Sequence, residues 1–386
     1  MSIGAALRPL VYAYAGGVAE IAARLSAAGL GADSSDDALA RVPTLRKSEL
    51  AARQVSQPPW GGMLAVGCVP TAAFMSSGGV VEPLVPRMVT RLAELLREAG
   101  FGPGHVVLNG FGYHVTPAGL LFHEALVRVG CTVLPGGPQN TSTLVDYATT
   151  LHATAFVGIA SHLKILFEQQ PALAIRLAMA GAEPHGEPIR AALAQEHGVR
   201  CVDMYGFAEA GIVAASCAQA GVLHLHGDVV AEVLDPQGDS AAAGGEGELV
   251  VSLDNPGFPL LRFATGDRVR IDPARCVCGR AGALQVLGRA DPSVRVKGML
   301  LHASQLRRFL ASAGVSACRV VVTREADRDR IAVTVRPGTA PLLALAELES
   351  SFRDICRLRA DAVTADASID ADAETVVIDD RRWIRS

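Results

Sequence analysis

Apolar positions alternate between two rhythms over the first two hundred residues. Short apolar runs fall at 105–109, 131–134, 155–158, 177–180 and 201–204. Stretches with apolar residues every three or four positions fall at 88–99, 118–129, 141–151, 161–169 and 188–196. The runs read as strands and the periodic stretches as helices. Their alternation predicts βαβ units and a mostly parallel sheet. After Ala214 the rhythm changes. Short strands are expected at 223–233, 247–253 and 268–271, separated by Gly, Pro and Asp, as in a small antiparallel barrel or sheet. Beyond Arg289 the pattern predicts a helix at 303–313, strands at 317–323 and 329–335, a helix at 341–358 and a last strand at 374–379. The N-terminal fifty residues read as an Ala/Leu-rich helical stretch, 5–30, broken by Gly16-Gly17, and a short piece at 36–41. No chemistry is assigned to them. The fold class is α/β: a large N-terminal domain of mostly parallel βαβ layers plus a small β-barrel-like part (1–288), then a small α+β module (289–386).

Composition agrees with two bodies. A chain of 386 residues is too long for one simple core. Half its residues are apolar and 19% are charged, which suits a buried α/β interior. The net charge of −4 gives no footprint for a nucleic-acid partner. No apolar run reaches the ~18 residues of a membrane span. The start, MSIGAALRPL, lacks the basic and long apolar regions of a signal peptide, so a cytoplasmic location is expected. Cys68, Cys131 and Cys318 sit in apolar surroundings and read as core residues.

Three stretches carry candidate chemistry. In CVDMYGFAE, a strand at 201–204 turns at Tyr205-Gly206 and presents Glu209 at its end. Strand ends are where ligands bind in open α/β sheets, and an acid there can hold a metal or a proton. Ser76-Ser77-Gly78-Gly79 follows an apolar strand, and its N–H groups could cradle phosphate. It has neither the Lys nor the spacing of a P-loop. Cys276-Val277-Cys278-Gly279, with Cys217 and His224 upstream, offers the tetrahedral set that structural zinc prefers. The other reading is free thiols in a loop, and His226 is an alternative fourth ligand.

Taken in order, these segments resemble the adenylate-forming superfamily, and within it the phenylacetate–CoA ligase group. The resemblance covers about residues 43–380. It rests on Ser76-Ser77-Gly78, Gly112-Tyr113, Gly181-Ala182-Glu183-Pro184, Tyr205-Gly206-x-x-Glu209, Arg262-Phe263-Ala264-Thr265-Gly266-Asp267, Cys276-Val277-Cys278-Gly279-Arg280 and Gly288-Arg289-Ala290-Asp291. It implies a large domain with a C-terminal lid, and activation of a carboxylate with ATP and Mg²⁺ followed by transfer to a thiol, usually of coenzyme A. Asp267 would bind ribose hydroxyls, Arg289 would sit beside the nucleotide, and Glu209 would hold Mg²⁺. Gly181, Ala182, Glu183 and Pro184 would line the adenine side. Tyr113, His114 and Phe207 would shape the acyl pocket, beside Tyr205, Gly206 and Ala208.

The chain departs from that pattern in one consistent direction. Gly79, Val80, Val81 and Glu82 stand where the family has Thr, Thr, Gly and Lys. Glu82 would bring a negative charge toward a polyanion, worth a few kcal/mol in the wrong direction at an effective dielectric of about 20. Ala208 replaces a Thr and Ala264 an Arg. The sequence stops at Ile384-Arg385-Ser386, short of the family's terminal catalytic Lys. Lys297 stands elsewhere and is kept as a candidate on the nucleotide and CoA side. Losing one stabilising donor costs roughly 2.7–4 kcal/mol, so ATP-driven adenylation is expected to be very slow. The expected activity is acyl transfer from acyl-CoA to another thiol, such as the phosphopantetheine of an acyl or peptidyl carrier protein, without ATP. The alternatives are an ATP/Mg²⁺-dependent aryl- or acyl-CoA ligase and a non-catalytic binding or scaffold protein. His114 is the candidate base for thiol attack, or else a gate of the acyl pocket.

Overall fold

The computed structural model describes residues 2–75, 79–137, 139–183, 186–219, 221–290, 294–297, 299–301, 303–325, 328–338, 344–369 and 375–379. Ser76, Ser77, Gly78 and Pro184, and the chain end at Ile384-Arg385-Ser386, lie outside the described residues. The chain divides into two compact units, Met1–Ala290 and Asp291–Ser386.

The first unit is built on the expected parallel sheet. Its five strands run in the order Thr132–Pro135, Val106–Asn109, Ala155–Gly158, Leu177–Ala180, Arg200–Val202, all parallel. Ala155–Gly158 and Leu177–Ala180 are buried along their whole length, as strands covered on both faces must be. The connecting helices are Ala118–Arg128, Thr141–Thr150, Ala160–Gln169 and Glu187–His197. The last ends at Gly198, whose φ of 65° closes it in the left-handed conformation. The chain leaves Val106–Asn109 toward one neighbour and returns on the other side. That reversal opens a crevice at the carboxyl end of this strand.

The later strands form one eight-stranded sheet. Its path runs Val229–Leu234, Glu246–Leu253, Leu260–Arg275, Ala281–Arg289, Leu223–Leu225, Gly211–Ser216, Met204–Phe207. Two expectations need correction. The strand anticipated at 268–271 spans Leu260–Arg275, because its turn-like Ala264-Thr265-Gly266-Asp267 is absorbed by a register shift against Glu246–Leu253. The stretch 223–233 breaks at His226–Asp228 into two strands that pair with different neighbours.

Residues 1–50 hold more structure than the apolar pattern suggests. Ile3–Tyr14, Ala19–Ala27 and Asp36–Leu39 are helices packed on Leu261 and Val230. Leu45–Arg46 then pairs parallel with Leu260–Arg275, in the register Leu45↔Phe263. The helix Lys47–Ser56 follows without a break, its start held by Glu49 accepting from the Arg46 N–H at 2.8 Å. The helix Pro86–Glu98 buries Met88, Val89, Leu92, Leu95 and Leu96 in the main core.

The second unit pairs Ala362–Ala365, Arg328–Pro337, Val315–Glu325 and Thr375–Asp379 in one sheet. The helices Ala303–Ala313 and Leu345–Cys356 meet through Phe309 and Phe352, edge to face at 5.5 Å. The strand Ala362–Ala365 is short and mostly exposed, so it left no apolar pattern to read. Cys318 is buried in this core, and Cys131 in that of the first unit. Cys68 is only partly buried.

Candidate functional site

The crevice at the end of Val106–Asn109 is organised by Asn109, which is fully buried. Its side-chain oxygen accepts from the Phe111 N–H at 3.1 Å, and Nδ2 donates to the Gly119 carbonyl at 2.9 Å. Nδ2 also reaches the Tyr113 hydroxyl at 2.7 Å. The same hydroxyl lies 3.1 Å from His123 Nδ1. Burial pushes the Tyr113 phenol up to about 12, so it holds its proton at neutral pH. Only glycine fits at 119, where a Cβ would collide with the Gly112 carbonyl.

His114 differs from expectation. It is exposed, and its ring folds back over Gly112. The histidine that joins Tyr113 is His123, on the helix Ala118–Arg128. Its one signal was a polar residue amid the apolar run AGLLF.

A second group gathers around Asp267. Tyr205 donates to Asp267 Oδ2 at 2.6 Å, and Arg289 donates to Oδ1 at 2.8 Å and to the Thr265 carbonyl at 3.1 Å. The register Asp267↔Arg289 between neighbouring strands sets the ion pair, and Tyr205 comes from the far end of the sheet path. Phe207 lies flat on Phe263 at 5.7 Å. Gly206 is a position where a Cβ would clash with the Gly211 carbonyl across the hairpin, and Gly181 allows the backbone of Met204 to come close. Ala182 takes a positive φ of 62°. The Glu183 carboxylate accepts from the Ser161 N–H at 3.2 Å, at the start of the helix Ala160–Gln169. Ala208 is partly buried in the turn before Gly211–Ser216.

Glu209 is not presented to solvent as its place at a strand end suggested. It is 1% exposed, and its Oε1 lies 2.9 Å from the Lys47 ammonium. Glu82 is also fully buried, with Oε1 3.9 Å from the same nitrogen. The charge expected to repel a polyanion is thus paired within the fold. Lys297, in the second unit, donates to Asp361 Oδ2 at 2.9 Å and to the Arg359 carbonyl at 3.3 Å.

The cysteine cluster is brought together by strand pairing. His224 sits opposite Ala283 on neighbouring strands, Cys217 directly follows the strand Gly211–Ser216, and Cys276 and Cys278 form the turn before Ala281–Arg289. One ligand atom from each of the four lies within 4.8 Å of all the others. Cys217 Sγ and Cys276 Sγ are 3.8 Å apart, and Cys278 Sγ and His224 Nε2 are 3.5 Å apart. A tetrahedron with Zn–S of about 2.3 Å and Zn–N of about 2.0 Å has edges of about 3.8 and 3.5 Å. Hydrogen bonding from the Arg280 backbone draws the Cys278 thiol down to about 7, and burial lowers the pKa of His224, both toward the metal-binding form. The Cys276 thiol moves up: the Cys278 N–H lowers it, but burial and the Cys278 and Cys217 thiols outweigh that. His226, the other candidate, lies instead between Asp228 and Glu94, at 2.6 and 3.1 Å.

Among proteins of known activity, the chain is 28% identical over 261 residues to the phenylacetate–coenzyme A ligase of Thermus thermophilus, covering 63% of this chain and 59% of that protein. It is 25% identical over 265 residues to the phenylacetate–coenzyme A ligase of Aromatoleum evansii, covering 65% and 60%. The chain is related to the phenylacetate–CoA ligases of the adenylate-forming superfamily. It spans less than two thirds of those relatives' length. No family model matches it. The crystal structure of a 2-hydroxyisobutyryl-CoA ligase in complex with 2-HIB-AMP and CoA superposes with a TM-score of 0.86 at 21% identity, over 98% of this chain and 89% of that one. An NRPS protein containing adenylation and PCP domains superposes with a TM-score of 0.61 at 20% identity, over 82% and 71%. These likenesses establish a shared α/β fold with its parallel and antiparallel sheets. Among the described residues, no helix is long and apolar enough to cross a membrane.

Proposed function

We propose that the chain is an enzyme of acyl-thioester chemistry, joining a carboxylic acid to coenzyme A on the adenylate-forming fold. The single observation that carries this reading is the buried carboxylate of Asp267, held from two sides by Tyr205 and Arg289. A carboxylate so fixed keeps lone pairs to accept from a vicinal diol, and both ATP and coenzyme A bring an adenosine. The named activity of the related ligases supports the same direction. Residues 1–288 would carry the acyl and adenosine sites, with Tyr113 and Phe207 suited to an aryl or small acid. The test is acyl-CoA formation from a panel of such acids with ATP, beside ATP–pyrophosphate exchange. Asp267→Asn should raise the KM for the nucleotide at least about tenfold, the loss expected for one strong polar contact. An unchanged KM would remove Asp267 from the site.

A second reading is favoured by a specific pairing. Glu209, the expected Mg²⁺ ligand, is already joined to Lys47, with Glu82 beside it. An enzyme that passes a ready-made acyl group from acyl-CoA to another thiol, such as a carrier-protein phosphopantetheine, needs neither ATP nor that metal. Thioester exchange without ATP, in protein that gives no pyrophosphate exchange, would select this route.

We also propose that Cys217, His224, Cys276 and Cys278 hold one structural Zn²⁺, on the strength of their spacing. The metal would staple a turn that has little apolar core, since Val277 is exposed. A reducing cytoplasm would preserve the thiolates.

A further inference from the structure

Lys47 is placed by strand pairing, not by its helix. Leu45–Arg46 pairs parallel with Leu260–Arg275, and the next residue opens the helix Lys47–Ser56. A cation at a helix N-terminus faces the positive end of the macrodipole, so the helix gains nothing from it. The ammonium lies instead against Glu209 and Glu82, 2.9 and 3.9 Å away. Both carboxylates are withdrawn from water, at 1% and 0% exposure. Two carboxylates that meet one cation away from water repel each other, and the cation offsets that repulsion.

Glu209 Oε1 is buried without a hydrogen bond, so the Lys47 ammonium holds it by charge alone and occupies the place a divalent ion would take. Mg²⁺ binds carboxylate oxygen at about 2.0–2.1 Å and demands near-ideal octahedral geometry. Such an ion on Oε1 would share that oxygen with an ammonium already 2.9 Å from it. Like charges so close, away from bulk water, repel strongly. We infer that Lys47 is the resident cation of this site: its ammonium bridges Glu82 and Glu209, and Glu209 is not a metal ligand in this chain. This goes beyond the proposed function, since it holds whichever acyl donor is used.

The experiment titrates full-length protein with Mn²⁺ alone, following the free-ion EPR signal. Wild type should show no site tighter than about 1 mM, the weak end of oxygen-ligand affinities. Lys47→Met should gain one site at least about tenfold tighter, because it uncovers the carboxylate pair. Lys47→Met/Glu209→Gln should lose it again. Where Lys47→Met is too unstable to titrate, thermal melting with and without Mn²⁺ gives the same answer: Mn²⁺ should raise the melting temperature of the single variant and not of the double. A wild-type Mn²⁺ site tighter than about 1 mM that Glu209→Gln abolishes would overturn the inference. So would a folded Lys47→Met with unchanged Mn²⁺ binding and unchanged melting. These readings involve no turnover, so failure of the proposed activity would show separately, as absent thioester formation.

Discussion

Arg91 donates from Nη1 to the Ala210 carbonyl at 3.1 Å, one residue beyond Glu209. The guanidinium is fully buried in the helix Pro86–Glu98; its Nε donates to Asp228 at 2.9 Å and its Nη2 to Asn255 Oδ1 at 2.7 Å. One side chain thus ties the turn carrying Glu209 to a core helix. Arg91→Met should lower unfolding free energy by about 1–3 kcal/mol, because Asn255 and the Ala210 carbonyl lose their donor while Asp228 keeps Arg87 at 2.8 Å and His226 at 2.6 Å. Arg91→Met/Asp228→Asn should cost more than the single change, because Arg87 and His226 then lose their carboxylate as well. Urea denaturation of the two variants checks the order, and a double variant more stable than the single would reverse the account.

Asp228 adds a pH dependence to that tie. Burial works to raise its pKa, but hydrogen bonds from His226 and Arg91 outweigh it and hold the carboxyl well below the usual range. A depressed folded pKa contributes stability that is full above the unfolded value of about 3.9 and drains as pH falls toward the folded one. The gap in urea midpoint between wild type and Asp228→Asn should be widest near pH 7 and should shrink below about pH 4. A gap constant from pH 7 to pH 3 would show that the carboxylate's charge plays no part.

Tyr113 and His114 separate by their surroundings. Tyr113→Phe removes the hydroxyl that accepts from buried Asn109 and meets His123 Nδ1. It should destabilise by about 1–2 kcal/mol and change acid preference more than turnover on the best acid. His114 is exposed, so His114→Ala should leave thioester turnover within about threefold from pH 6 to 9, far from the 10²–10⁴-fold typical of a lost general base. A loss of that larger size, partly rescued by raising pH, would restore His114 as the base.

Metal analysis tests the cysteine cluster directly. Protein purified without added metal should carry about one zinc per chain. A strong chelator should lower its melting temperature, and Cys276→Ser should do the same without chelator. Zinc below about a tenth of an equivalent in freshly folded protein would leave four neighbouring ligands with no metal between them.

The sequence by itself determined the elements whose burial is complete and regular. Ala155–Gly158 and Leu177–Ala180 are apolar from end to end because helices cover both faces, and the parallel sheet follows from their alternation with helices. The helix Ala303–Ala313 was legible at both ends from its amphipathic pattern. The Cys-x-Cys turn announced itself, and the ordered motifs carried the family resemblance. The helix Lys47–Ser56 left no such trace, since it buries only Leu50 and Gln54. The strand Leu260–Arg275 hid behind its glycine-containing middle. The partners of charged groups were set by tertiary structure alone. Lys47 joins Glu82 and Glu209 only because Leu45–Arg46 docks on the later sheet, and His123 reaches Tyr113 only because the helix Ala118–Arg128 closes on Gly112. Apolar burial repeats with the local period of helix or strand and is written along the chain. A charge finds its partner through register and packing between distant segments, and no local period records it.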